Sequence, residues 1–248
     1  MGQLPLRAAS LAAGWAGLAM YKSRMPQQNV GNDTGGQPMQ AYYAARAREY
    51  DRIYAKPERQ ADLREIERWL PSALGGRSVL EVACGTGYWT QFLAPAVKVL
   101  AGVDAAAETL EIARARVAAP HVRFGVGDAY RLDAGGERFD GAFAGFWISH
   151  VPRSRMREFL QGLHAVLAPG AKVVLLDNRF VAGSSTPIAE EDAEGNTYQL
   201  RRLDDGTTHR VLKNFPSQPQ LREDLAGLAR DIRFHEWPYF WAVEYEAG

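Results

Sequence analysis

Ser78-Val-Leu-Glu-Val-Ala-Cys-Gly-Thr-Gly87 is the stretch on which the fold turns. Ser78 to Ala83 has the length and branched apolar content of a buried strand, and Val82 to Gly87 is a glycine-bearing turn opening a helix over Tyr88 to Ala94. Such a turn lets the backbone approach a ligand, because glycine has no Cβ and tolerates positive φ. The helix start that follows offers free N–H groups to a carboxylate or phosphate. A second strand, Val97 to Val103, then delivers Asp104, an acid suited to accept both hydroxyls of a ribose.

Outward from this unit the pattern alternates. Helices over Gln40 to Tyr54 and Glu58 to Trp69 precede it, the second opened by Pro57. Beyond it come a helix over 106–118, strands Val122 to Val126 and Phe139 to Phe146, a helix Arg153 to Leu167 and a strand Lys172 to Asp177. Strands alternating with helices of 10 to 15 residues predict an α/β, doubly wound, Rossmann-like sheet that is mostly parallel. Ligands in such sheets sit at the carboxyl ends of the strands, near the switch in strand order.

A glycine turn plus one acid is shared by nicotinamide, flavin and adenosyl binders. Three features narrow it. The dinucleotide pattern G-x-G-x-x-G is broken by Thr90 at its third glycine. Gly127-Asp-Ala129 follows the third strand, with an acid and a backbone N–H suited to the edge of a purine. Leu167-Ala-Pro-Gly-Ala-Lys172 feeds the long apolar fifth strand. Together these residues resemble the class I S-adenosylmethionine-dependent methyltransferases of small-molecule type, over roughly Tyr42 to Asp177.

Glu81-Val-Ala-Cys-Gly-Thr-Gly87 is similar to that family's first motif, E/D-x-G-x-G-x-G, with Ala83 at the first glycine. The resemblance implies S-adenosylmethionine as cofactor, with Glu81, Ala83, Gly85 and Gly87 at its methionine portion. It further implies Asp104 and Ala105 at the ribose, and Asp128 with the Ala129 N–H at the adenine. Phe139-Asp-Gly-Ala-Phe-Ala-Gly-Phe146 resembles the fourth strand beneath the sulfonium, which brings in Phe146. Tyr42 to Asp51, with Tyr43 and Tyr50, is similar to the helix that closes over the cofactor. Seven strands are then expected, ending in an antiparallel hairpin of Asp231 to Trp237 and Tyr239 to Tyr245 around Pro238. The intervening 178–228 reads as a cap over the acceptor, with a hairpin of Thr197 to Leu203 and Thr207 to Phe215 about Asp204-Asp-Gly206.

His150, after the fourth strand, is the candidate general base for an acceptor that must lose a proton. Trp147, Arg179, Tyr239 and Trp241 are the candidate acceptor contacts, three of them aromatic and one able to grip a carboxylate. His121 and His164 read as structural, and Cys84 as a small turn residue. No Cys/His/carboxylate cluster has metal-ligand spacing, so no metal is expected. The alternatives are a catalytically silent relative and an NAD-dependent oxidoreductase, the latter disfavoured by Thr90 and by the lack of a Tyr-x-x-x-Lys set.

Across 248 residues, 29 Lys and Arg balance 29 Asp and Glu. The zero net charge lacks the positive field of a nucleic-acid binder, and one cysteine permits no internal disulfide, which suggests the cytoplasm. The balance is uneven. Residues 1–32 hold Arg7, Lys22 and Arg24 and no acid, leaving 26 basic against 29 acidic residues beyond. Their apolar run Leu11 to Met20 is half the roughly 20 residues that a spanning helix needs. Residues 1–38 therefore read as a flexible basic leader and linker, and 39–248 as the transferase domain. That domain's mild acidity favours a neutral or cationic small acceptor, with neither membrane nor nucleic acid as partner. The oligomeric state is not legible.

Overall fold

The computed structural model describes residues 50–248. The leader and linker, the boundary near Pro38, Tyr43 and most of the helix expected over 40–54 lie outside them. Tyr50–Tyr54 forms a 3-10 helix, and a second, Pro57–Arg59, leads into α1 (Gln60–Leu74). Then follow β1 (Ser78–Val82), α2 (Thr90–Leu93), β2 (Val99–Asp104), α3 (Ala107–Arg116), β3 (Val122–Val126) and β4 (Phe139–Gly145). The second half comprises α4 (Met156–Ala165), β5 (Leu167–Asn178), β6 (Glu190–Glu191), β7 (Thr197–Arg202) and β8 (Thr208–Leu212). It ends with α5 (Gln218–Leu225), β9 (Ala229–Glu236) and β10 (Phe240–Ala247).

Seven strands make one sheet in the order β3-β2-β1-β4-β5-β10-β9. β1 to β5 run parallel, while β10 is antiparallel to both β5 and β9. The order reverses at β1, between β2 and β4, so the crevice for a ligand opens at the carboxyl end of β1. Central strands are buried on both faces because successive side chains point to opposite sides. Val79 joins Leu63, Ile66, Leu70 and Leu74 of α1 on one face. Leu80 and Val82 join Phe159, Leu160 and Leu163 of α4 and Leu221 and Leu225 of α5 on the other.

Several elements differ from the sequence expectation: the described end of the 40–54 helix is 3-10, the strand expected from Val97 starts at Val99, the helix expected over Arg153 to Leu167 is a 3-10 turn followed by α4, and three more have a clear local reason. α1 runs past Trp69 and through Pro71 to Leu74. The proline forfeits one helix hydrogen bond, and full burial of Leu70 and Leu74 offsets it. α2 is shorter than 88–94, because Gly87 at φ 74° keeps the chain in the turn. β5 begins at Leu167 rather than Lys172. Phe139 pairs with Leu167 and Gly141 with Lys172, so the Pro-Gly segment is a bulge within the strand, carried by Gly170 at φ 74°.

The cap is a three-stranded antiparallel sheet, β6-β7-β8, in place of a simple hairpin. β8 ends at Leu212, short of Phe215, because the Asn214 N–H turns to the Ser149 carbonyl at 2.7 Å. Among the described residues no helix is long and apolar enough to cross a membrane.

Candidate functional site

The turn after β1 holds three left-handed residues, Ala83 (φ 54°), Gly85 (φ 54°) and Gly87 (φ 74°). At Gly87 glycine is required twice over, since a Cβ there would also meet the Ala113 Cβ at 3.1 Å. Ala83 carries its Cβ into a conformation that costs an L-residue about 1 kcal/mol. Ala83→Gly is therefore expected to raise stability by up to about 1 kcal/mol, less the entropy that glycine adds to the unfolded chain. Urea denaturation measures it, and a clear loss of stability would show that the methyl group packs.

The turn is closed by Asp104. Its Oδ2 accepts the Gly85 N–H at 2.9 Å, while Oδ1 accepts the Ala106 N–H at 2.9 Å and the Thr109 hydroxyl at 3.3 Å. A carboxylate has about four acceptor sites; one remains on Oδ2, and one on Oδ1 opens when the single Thr109 hydroxyl proton goes to the Ala106 carbonyl, 2.8 Å away. Burial raises its pKa, opposed by those N–H donors. Ala105, next to it, is exposed. The Gly127 N–H donates to the Asp104 carbonyl at 3.0 Å, which sets exposed Asp128 and half-buried Ala129 beside the β2 end. Asp128 itself turns the chain by accepting the Tyr130 N–H at 2.9 Å.

Glu81 is fully buried, and its carboxyl accepts the Thr90 hydroxyl at 2.7 Å. Desolvation pushes its pKa up to about 8. Thr90, the residue that breaks the dinucleotide pattern, thus serves the acid of the turn. Asp51 accepts the Thr86 hydroxyl at 2.6 Å and pairs with Arg116, while Tyr54 stacks on Tyr88 with ring centroids 3.4 Å apart. The first described segment is in this way fastened across the glycine turn. Tyr50 opens that segment.

Beyond β4, Phe146 sits at φ 61°, a strained value for a bulky residue. Its N–H bonds the Leu176 carbonyl at 2.7 Å, and its ring lies between Tyr54 and Phe240 at 5.6 and 5.7 Å. The next residues, Ile148–His150, form a 3-10 turn joined to the cap. Fully buried Asp177 accepts the Ser149 N–H at 2.8 Å and hydroxyl at 3.0 Å, and pairs with Lys213 at 3.0 Å. The Lys213 ammonium also donates to the Ser149 hydroxyl. Burial lowers its pKa to about 8, while that charge and His150 hold Asp177 below the ordinary carboxylate value against desolvation.

His150 is buried, with Nδ1 at 2.7 Å from the Leu212 carbonyl. A carbonyl only accepts, so Nδ1 carries the proton and Nε2 the lone pair. Desolvation first, then the charges of Lys213 and Arg201, depress its pKa well below 6.5.

Phe146 and His150 meet in a cavity of about 410 Å³ between the β4 and β5 ends and the cap. The four acceptor contacts expected from sequence do not line it. Strand alternation turns Trp241 away from Phe240, and Trp147 packs on Tyr130 and Phe159 in the opposite layer from Phe146. Arg179 donates to the Trp237 carbonyl at 2.9 Å and, with Trp241, lines a second cavity. Tyr239 lies under the Arg59 guanidinium, 5.3 Å from its ring centre. Lys213, Arg59, Asp177 and Ser149 were not among the candidate site residues. Lys213 and Asp177 are 36 positions apart, and no spacing rule connects them. His164 bonds the Tyr245 hydroxyl and His121 the Ala94 carbonyl. Among the described residues no three His, Cys, Asp or Glu group as metal ligands.

The family model described as a methyltransferase domain matches residues 79–170. Demethylmenaquinone methyltransferase of Staphylococcus aureus is 34% identical over 106 residues, 41% of this chain and 43% of that protein. The match spans less than half the length of the curated relatives. Among solved structures, the DhpI–SAM–HEP complex is similar with a TM-score of 0.71 and 27% identity, covering 87% of this chain and 99% of that one. The DhpI–SAH complex gives a TM-score of 0.70 and 28% identity over 85% and 96%.

Proposed function

We propose that this chain, a member of the class I S-adenosylmethionine-dependent methyltransferases, transfers a methyl group to a small molecule held beneath the cap. The observation that carries the reading is the left-handed turn at Ala83, Gly85 and Gly87, tied to Asp104 at the carboxyl ends of β1 and β2. Cofactor-bound structures of a relative covering nearly its whole length support it.

In this reading Glu81, Ala83, Gly85 and Gly87 hold the methionine portion, Asp104 and Ala105 the ribose, and Asp128 with the Ala129 N–H the adenine. Tyr43, Tyr50 and Phe146 close over it. When bound, S-adenosylmethionine supplies an electrophilic methyl carbon. The chain's own task is alignment, since an in-line displacement gains most from fixed geometry. Phe146, held in its strained conformation by the β5 carbonyl, stacks between Tyr54 and Phe240 and stiffens the cavity wall. His150, in the cavity wall with Nδ1 on the Leu212 carbonyl, is the general base of this reading through Nε2. Its depressed pKa suits it to orienting a hydrogen-bond donor and to taking a proton that leaves late. Residues 39–248 act as the transferase domain, with 178–228 as the cap, and the single buried cysteine accords with a cytoplasmic setting.

Thermal denaturation with S-adenosylhomocysteine or NAD(H) tests the cofactor. S-adenosylhomocysteine at 100 times its dissociation constant is expected to stabilise by about 2.7 kcal/mol, and NAD(H) not at all. Stabilisation by NAD(H) alone would overturn the reading. Incubation with labelled S-adenosylmethionine and fractionated metabolites then tests transfer, and binding without transfer would favour the silent relative.

A further inference from the structure

The cap cavity is lined by six cationic side chains, Arg52, Lys56, Arg59, Arg201, Arg202 and Lys213, and by one carboxylate, Asp204. Asp204 pairs with Arg52 at 2.7 Å, and Asp177 stands behind Lys213. Among the described lining residues, with Asp177 behind them, six cations thus face two acids. The mildly acidic total of the domain does not describe this wall.

Arg59 is the most telling member. It is 6% exposed, yet its guanidinium donates to neutral oxygens, Asn178 Oδ1 at 2.8 Å and Ser184 Oγ at 3.0 and 3.1 Å. Lys56 likewise donates to the Ser184 carbonyl. No acid bonds Arg59 directly: Glu58 reaches it through the shared Ser184 hydroxyl, Asp62 accepts the Tyr239 N–H, and both ease its burial only through space. Burying a charge is costly unless an opposite charge meets it. A concave site that gathers cations in this way is built for an anion, which several charge-assisted hydrogen bonds would grip. Its size is that of a small-molecule pocket.

We propose that the cap cavity binds an oxyanion of the acceptor, so that the substrate is a small acid bearing a phosphoryl or carboxylate group. This rests on the reading of the cavity as the acceptor site. Arg59 and Lys56 from the amino-terminal side and Arg201 and Arg202 from β7 close on the anion from opposite walls. That grip fixes the rest of the molecule relative to Phe146 and His150.

The test is calorimetric titration of inorganic phosphate, and separately acetate, into the full chain saturated with S-adenosylhomocysteine at constant ionic strength. Saturable one-to-one binding is expected, weakened about tenfold or more by Arg201→Gln and by Lys56→Met, as loss of one charge-assisted hydrogen bond implies. Affinity for S-adenosylhomocysteine should stay unchanged in both variants. Arg59→Gln should have the largest effect, and the two less buried variants decide the matter if it does not fold. Tighter phosphate than acetate identifies a phosphoryl acceptor, and the reverse a carboxylate. Absence of saturation, equal binding by the variants, or displacement of S-adenosylhomocysteine by phosphate would each overturn the proposal. Failure of S-adenosylhomocysteine itself to bind would instead remove the transferase reading, and phosphate titration of the ligand-free chain would still decide the anion site.

Discussion

Asp104→Ala is expected to weaken S-adenosylhomocysteine binding by at least about a hundredfold. The carboxylate holds the Gly85 N–H on one oxygen and the Ala106 N–H on the other, so it fixes the turn and the start of α3 together. In the proposed complex it also accepts two ribose hydroxyls. Hydrogen bonds to a charged group contribute about 1.5 to 3 kcal/mol each. Loss of the two ribose bonds alone therefore exceeds about 3 kcal/mol, or a hundredfold. Asp104→Asn keeps one acceptor oxygen but aims an amide N–H₂ at a backbone donor, and should fall between alanine and the native protein. Because burial raises this carboxyl above the ordinary aspartate value of 3.8, native affinity should begin to fall on acidification earlier than an exposed aspartate would allow. Isothermal titration across pH checks both statements. An Asp104→Ala protein that binds within threefold of native would remove the ribose role.

The sheet and the glycine turn with its acid were legible because they are local. One strand, one turn and one acid within Ser78 to Asp104 suffice to place Glu81, Ala83, Gly85 and Gly87 against Asp104. The repeated strand and helix lengths extend that unit into a sheet. The acceptor end was not legible, because its members come from four separate stretches of chain. Arg59 precedes α1, His150 follows β4, Asp177 closes β5, and Lys213 follows β8. Nothing in a window of sequence marks Lys213 as the partner of an aspartate 36 residues earlier. The aromatic candidates failed to reach the cavity for a different reason. Trp241 and Trp147 are each one residue from a ring of the other layer, Phe240 and Phe146. Within β10, alternation sends neighbours to opposite faces and pairing across the sheet sets which goes where, while past the end of β4 the left-handed Phe146 turns Trp147 the other way. Total charge is uninformative in the same way, since its average conceals a basic wall within an acidic domain.

Lys213→Met is expected to destabilise the protein by about 3 to 5 kcal/mol, the usual cost of leaving one member of a buried ion pair without the other. For a chain of this size that lowers the melting temperature by roughly 10 °C. Asp177 is fully buried and still accepts the Ser149 and Asn178 N–H groups, so it cannot turn out to water. Adding Asp177→Asn removes the stranded charge and keeps an acceptor oxygen, and should recover at least about half of the loss. The pH dependence gives the sharper signature. In the native protein the Asp177 carboxyl is held below its ordinary value, first by Lys213 and then by His150, against desolvation. A carboxyl depressed on folding contributes stability that is complete above its unfolded pKa of about 3.9 and is lost as pH falls through the folded value. In Lys213→Met the desolvation remains and the main opposing charge is gone, so the folded carboxyl rises above the unfolded one. The folded state then binds more protons than the unfolded chain, and the variant gains stability as pH falls from 7 toward 4. Urea denaturation at pH 7, 6 and 5 reads the difference between native and variant, which should narrow with acidity. A constant difference would mean that Asp177 finds another cation, and that the cap is fastened to the β5 end by something other than this pair.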